Sequence, residues 1–332
     1  MILTWFLGLV RTRNGRLAGS IAGIAITVAL LAALGAFLTQ STASMTRRAV
    51  AGVPVDWQVE LVPGTAVPPA EAMIRKAGLV TALRQVGYAS VDGLEARAGG
   101  TVQTTAKGKV VGLDADYARD FPRQMRLLLG SLDGVLVAQQ TAANLHVTVG
   151  DTVTIRRVGL PPADVKVDGV VDLPNADSMF QAVGVPPGVA PQAPPDNVLL
   201  LPAADWHRLF DPQAAARPDT VRTQLHVGLA HDALPIDPVL AFATVQGAAR
   251  NVELRIAGSG IVADNLAARL DAARADALYA RVLFLFLGAP GVVLAMLLTV
   301  AVVASGGVRR RPDQALLRPA WSPPRLRVSP NG

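Results

Sequence analysis

The residues best equipped for chemistry are four histidines, a short run of aspartates and a few glycine-bounded turns. His146, His207, His226 and His231 do not recur at the short fixed spacings that metal ligands need, so they read as surface or core residues. Asp114, Asp116 and Asp120 alternate somewhat as calcium ligands do. They lack the internal glycine and distal glutamate of a calcium loop, so solvated or capping roles are expected. Gly108-Lys109-Val110 does not complete a phosphate loop. Gly258-Ser259-Gly260 reads as a turn, because no strand-then-helix context makes it a nucleotide loop. No Gly-x-Ser-x-Gly nucleophile elbow occurs. The chain has no cysteine, which excludes disulfides, thiol catalysis and thiolate metal sites, and fits an extracytoplasmic domain. The expectation is a protein that is not an enzyme, with no catalytic, cofactor-binding or metal-binding residue.

The charges that carry meaning lie at the two ends. Arg11, Arg13 and Arg16 give residues 1–16 a charge of +3, and residues 304–332 hold six basic residues and Asp313, for +5. Residues 40–281 hold 22 basic and 24 acidic residues. The basic excess therefore does not point to nucleic acid. It flanks two uncharged blocks, Leu17 to Thr39 and Val282 to Val308, each long enough to cross a hydrocarbon core of about 30 Å. The first is longer than the apolar run of a signal peptide, although small residues near Ala43-Ser44 leave cleavage open. Short basic flanks stay cytoplasmic. Both termini are thus expected in the cytoplasm and the middle outside, with Arg47 and Arg48 weighing against this but outnumbered.

These segments set the expected organisation. A basic amphipathic segment (1–16) precedes a first membrane helix (17–39). An extracytoplasmic α+β domain follows (40–264), with room for two subdomains, and then a stalk helix (265–281) and a second membrane helix (282–304). A basic cytoplasmic segment (305–318) and a tail (319–332) complete the chain. Within the domain, alternation places Trp57, Val59 and Leu61 on one face of a strand at 56–62. A helix opens at Pro68-Pro69, with a stripe of Ile74, Ala77, Leu79 and Leu83. Strands are expected at 110–113, 134–138, 165–171, 197–201 and 222–228, and helices at 118–129, 139–145, 203–210 and 238–250. Residues 147–156 read as a hairpin turning at Gly150-Asp151. Residues 184–195 read as a proline-rich surface loop. The helix from Asn265 is expected to run unbroken until Gly288, Pro290 and Gly291 interrupt or kink it.

The order of these elements resembles the permease subunits of MacB/FtsX-like ABC transporters. Val111-Gly112-Leu113-Asp114, followed by Tyr117 and Phe121, is similar to a segment of that family, as are Gly150-Asp151-Thr152-Val153 and the helix from Asp271 to Gly288. Arg309-Arg310-Arg311 and Gln314-Ala315-Leu316-Leu317-Arg318 resemble its cytoplasmic segment. The resemblance implies two membrane helices flanking a MacB-like periplasmic core domain, placed in the cell membrane. It implies an ATPase subunit and a second permease copy or paralogue as partners, with Arg11, Arg13, Arg16, Arg309, Arg310, Arg311 and Arg318 serving coupling and topology. The family continues into further spans, so the chain reads as truncated and the proline-rich tail after Arg318 as a reading-frame product. Two other readings are a two-span sensor or binding module and a polysaccharide co-polymerase, whose outer domain would be mainly long helices.

Reporter fusions at position 2, near 190 and at 332 test the charge argument. Cytoplasmic reporters should be active at both ends and silent near 190, and activity near 190 would overturn the topology.

Overall fold

The computed structural model describes residues 14–181, 183, 184 and 194–308. Arg11, Arg13, Arg309, Arg310, Arg311 and Arg318, the tail and most of the proline-rich loop lie outside the described residues. Helix α1 (Asn14–Ala51) leads into strand β1 (Trp57–Leu61), helix α2 (Val67–Arg75) and the long strand β2 (Val80–Ala98). Strands β3 (Thr101–Thr104) and β4 (Gly108–Leu113), a single turn α3 (Tyr117–Asp120) and strands β5 (Arg126–Gly130) and β6 (Leu136–Ala138) follow. Next come α4 (Gln139–Leu145), β7 (Thr152–Arg157), β8 (Ala163–Lys166), β9 (Gly169–Asp172) and α5 (Ala176–Phe180). The last part holds β10 (Val198–Pro202), α6 (Ala203–Ala216), β11 (Val221–Leu229), α7 (Pro238–Arg255), β12 (Gly260–Asp264) and α8 (Asn265–Val308).

The chain divides into two compact units, one of Met1–Ser41 with Asp276–Gly332 and one of Thr42–Ala275. The described residues of the first are helical. Its apolar side chains, such as Ile21, Ile26, Leu285 and Phe286, are exposed, and Phe37 stacks on Phe284 with ring centroids 5.4 Å apart. Thr27 and Thr39 turn their hydroxyls back onto the carbonyls of Gly23 and Gly35 at 3.0 Å, so these donors are satisfied within the helix. By length and composition, Ile21–Ala51 and Asn265–Leu294 are candidate membrane spans, with mean hydropathies of 2.5 and 1.9. Helix α8 passes through Gly288, Pro290 and Gly291 without a break. The expected interruption does not occur: proline removes one backbone bond, and the helical bonds on either side carry α8 onward.

The second unit is built on a twelve-stranded mixed sheet in the order β12-β1-β11-β2-β4-β10-β6-β9-β5, with β3 and β7 also on β2 and β8 on β7. Strand β2 is its spine. Residues 80–89 pair with β11, 86–91 with β4, 91–96 with β7 and 95–98 with β3. One face buries Trp57, Val59, Leu61, Leu225 and Val227 under α2, α7 and the first turns of α8. Further along, Ala89, Val110, Leu199 and Leu201 pack against Trp206, Leu209 and Phe210 of α6. The opposite face carries Val86, Tyr88, Val111 and Leu200 beneath Tyr117, Phe121 and Met179.

Gly87 and Gly112 sit opposite each other on β2 and β4. A Cβ at Gly87 would lie 2.6 Å from the Trp206 ring, and one at Gly112 would lie 2.4 Å from it. The two absent side chains thus form a slot for the indole, whose Nε1 donates to the Val110 carbonyl at 3.2 Å.

Several elements differ from the sequence expectation. The stripe running to Leu83 is divided: Ile74 lies in α2, which stops at Arg75, Ala77 and Leu79 in the connection, and Leu83 in β2, which starts at Val80. Residues 118–129 are not one helix but the turn α3 and strand β5. Gly150-Asp151 is not a hairpin tip. Gly150 has φ +95° and donates to the Val167 carbonyl at 2.8 Å, and β7 pairs instead with β8 and β2. The compact unit extends to Ala275, with Leu266 and Leu270 fully buried in its core.

Gly112→Ala forces a methyl into the indole and should destabilise the unit by about 1–3 kcal/mol. Urea unfolding of residues 42–275, followed by tryptophan emission, measures it. An unchanged midpoint would show that the slot is not tight.

Candidate functional site

Residues 52–56 connect α1 to β1, and at their end Asp56 gathers the surrounding chain. Its main-chain N–H donates to the Val227 carbonyl of β11 at 3.1 Å, and its carbonyl accepts from Asn265 and Leu266 at 3.0 and 3.2 Å. Those two amides open α8 and would otherwise be orphans of a helix start. The Asp56 carboxylate accepts from the Leu229 amide at 2.7 Å and lies 2.8 Å from His231 Nε2. Only 3% of Asp56 is exposed. Asn265 adds a side-chain donation to the Val55 carbonyl at 3.1 Å, and Thr46 on α1 donates to the Ile236 carbonyl at 2.8 Å. One buried carboxylate residue therefore joins the strand after α1, the end of β11 and the first turn of α8. Asp264 caps that turn by accepting from Ala267 at 2.8 Å. Burial, with smaller contributions from Asp56 and Glu253, pushes the Asp264 carboxyl up to about 7.

A second polar group occupies the sheet face under α3 and α5. Along β11, Arg222, Gln224 and His226 are spaced by two and so share this face. Glu60 on β1 stands opposite Gln224, Tyr88 on β2 opposite Arg222, and Lys109 on β4 opposite Ser90. His226 is fully buried. Its Nδ1 is 2.8 Å from the Tyr117 hydroxyl and its Nε2 is 3.2 Å from that of Tyr88. Tyr88 donates to the Met179 carbonyl at 2.8 Å, so its oxygen is free to accept from Nε2–H. Nδ1 then accepts from Tyr117, which assigns one neutral tautomer. Burial pulls the His226 pKa down to about 3 and raises those of Tyr88 and Tyr117, so the trio stays uncharged. Beside it, Lys109 Nζ donates to Ser90 Oγ at 2.7 Å. Gln224 donates to Glu60 at 3.0 Å, and Arg222 lies 3.6 Å from the same carboxylate.

The remaining residues singled out in the sequence are placed as follows. His146 ends α4 in the left-handed region at φ 53°. His207 pairs with Asp211 at 2.9 Å on the surface of α6. Asp120 accepts from Arg84 at 2.6 Å, and Asp116 pairs with Arg119 at 2.9 Å, so guanidinium groups occupy these carboxylates. Ser259 lies in a turn whose carbonyl accepts from the Val62 amide at 2.9 Å. Arg16 lies in α1, and Gly288, Pro290 and Gly291 in α8. Sequence reasoning missed Asp56, Tyr88, Arg222 and Gln224. The two-residue alternation of Arg222, Gln224 and His226 was the available signal for a polar sheet face.

Comparison with known proteins adds three findings. A model of the MacB-like periplasmic core domain matches residues 17–235. Among solved structures, the periplasmic region of MacB from Actinobacillus actinomycetemcomitans aligns with a TM-score of 0.40 and 11% identity, over 65% of this chain and 92% of that one. No curated protein matches.

Asp264 and His226 give opposite pH dependences. The raised Asp264 pKa favours the folded state at low pH, and that stability is lost as pH rises from about 4 to about 7. The depressed His226 pKa favours it at high pH, and that stability is lost as pH falls from about 6.5 to about 3. Each slope is at most roughly 1.4 kcal/mol per pH unit, and in the shared window they offset one another. His226→Gln should therefore give a stability that falls with pH between 4 and 6.5, and Asp264→Asn one that rises. Denaturant titrations across this range check both signs.

Proposed function

We propose, from the premise that this chain belongs to the MacB-like periplasmic core domain family, that it is the membrane subunit of an ABC transporter, converting ATP hydrolysis by a separate ATPase into movement of the unit Thr42–Ala275. Members of this family are membrane-associated and work with ATPase subunits in ABC transporters. The family match carries the reading, because residues 17–235 take in the first apolar helix and most of the α+β unit together.

The junction around Asp56 supplies the physical rationale. Val50 near the end of α1 and Leu266 and Leu270 at the start of α8 are packed in the same core as Trp57, Leu225 and Val245. Close-packed interiors transmit displacement rather than absorb it. A shift of either helix end would therefore be felt by β1, β11 and β12. In this proposal Arg11, Arg13, Arg16, Arg309, Arg310, Arg311 and Arg318 hold the flanks in the cytoplasm, where the ATPase acts, and a second permease copy or paralogue completes the transporter. The chain catalyses nothing itself. The twelve-stranded sheet weighs against a co-polymerase, whose outer domain would be mainly helical.

The chain lacks cysteine, so single cysteines can be placed and labelled cleanly. Spin labels at Val102→Cys and Tyr279→Cys, both exposed positions, should change their separation when ATP is added to chain and ATPase in nanodiscs. Reversing Arg309, Arg310 and Arg311 to glutamate should weaken ATPase association by at least roughly tenfold, since like-charge contacts at an interface cost several kcal/mol. An unchanged distance distribution during sustained ATP turnover would overturn the proposal.

A further inference from the structure

We propose that the α+β unit holds a binding site for a small oxyanion, a carboxylate or a phosphate ester, carried on an apolar body. The site is a cavity of about 180 Å³ on the polar sheet face, with Lys109, Arg222, Gln224 and Tyr88 on its polar side and Met179, Phe180 and Pro195 on its apolar side.

The charges do not balance. Lys109 donates to the neutral Ser90 hydroxyl, and among the described residues it has no carboxylate partner. Arg222 reaches Glu60 only at 3.6 Å, and that carboxylate already accepts from Gln224. Of the two cations, only Arg222 lies near a carboxylate. The connection from α5 to β10, residues 181–197, holds one acidic residue, the exposed Asp196.

The placement is dictated by the sheet. Ser90 and Tyr88 are two apart on β2 and so point the same way, with Lys109 paired to the first and Arg222 to the second, on opposite flanks. Strand spacing puts the two Cα atoms roughly 12 Å apart, close enough for two long side chains to converge on one group. Half-burial lowers the Lys109 pKa, and the positive field of Arg222 lowers it further. Keeping a desolvated ammonium beside a guanidinium is unfavourable in the empty cavity. An oxyanion between them removes that repulsion and accepts charge-assisted hydrogen bonds from both. Gln224 adds a polar edge, and the Met179, Phe180 and Pro195 side suits a ring or short chain better than a bare inorganic ion. The site rests on this cavity and not on the transport reading.

Calorimetric titration of the full chain in maltoside micelles tests it, with three probes: phenyl phosphate, dihexanoyl phosphatidate and the uncharged benzyl alcohol. At least one phosphate ester should bind saturably and benzyl alcohol should not. Binding of phenyl phosphate assigns a soluble ligand, and binding of the phosphatidate alone assigns a lipid headgroup. Lys109→Met and Arg222→Gln should each weaken binding by about tenfold or more, as expected for a lost charged hydrogen bond. Glu60→Gln removes the competing carboxylate and should tighten it. Circular dichroism melts of each variant separate lost binding from lost folding, and Lys109→Arg should retain binding. Absence of saturable binding by either ester overturns the site, as does unchanged affinity in both Lys109→Met and Arg222→Gln with no gain in Glu60→Gln.

Discussion

The α+β unit depends on how the chain handles Asp56. A carboxylate that is almost wholly excluded from water must find donors or cost several kcal/mol. Here it finds the Leu229 amide and the His231 ring, while its own main chain feeds the first turn of α8 and ties into β11. Three chain segments far apart in sequence are thereby fixed at one point. The first amides of α8 are satisfied by the carbonyl of Asp56, the residue before β1, so the helix start is tied to the sheet's hydrogen-bond system. The packing of Leu266 and Leu270 against Trp57 and Leu225 follows from that fixed start.

How much of this was legible depended on how local the determining interaction is. Strand β1, helix α4, strand β10, strand β11 and helix α7 were visible because their apolar spacing reports a single face or a buried run. Strand β2 was not. It mixes polar and apolar residues on both faces, with Arg84 and Asp92 on one and Gln85 and Glu95 on the other, carries Gly87 and Gly93, and shifts register between Val91 and Gly93, so no simple period survives. Leu127, Leu128 and Leu129 suggested a helix, yet they lie exposed on the edge strand β5, where pairing with β9 decides the conformation. The hairpin at Gly150-Asp151 failed because a long-range bond to Val167 outweighed the local turn signal. Asp56 was invisible as a site, since a lone acid before a strand shows nothing until α8 and β11 arrive beside it.

The polar sheet face illustrates the difference between a buried network that is closed and one that is open. Around His226 every proton has a defined donor and acceptor, and all three rings are neutral. Such a cluster specifies one arrangement of β2, β11 and α3 with little charge to desolvate. A few ångströms along the same face the pattern changes: Lys109 and Arg222 are ionic and border a cavity, and Glu60 lies 3.6 Å from Arg222. One sheet face thus serves as core at one end and as a receptive surface at the other.

The indole slot between Gly87 and Gly112 has a meaning beyond packing. Strands tolerate misalignment poorly only where something measures their alignment, and β2, with 19 residues, offers several alignments to the 6 residues of β4. Sliding β2 by one residue against β4 would turn its side chains to the opposite face and set Gly112 beside Tyr88 or Val86. Sliding it by two would bring Ala89 or Gln85 beneath the ring. In either case the indole loses its bed and its bond to Val110. Trp206 therefore acts as a gauge that accepts a single pairing of the two central strands, and it arrives from α6, after both strands have been made. The sheet's alignment is inspected late, by a residue that can seat only if the earlier pairing is right.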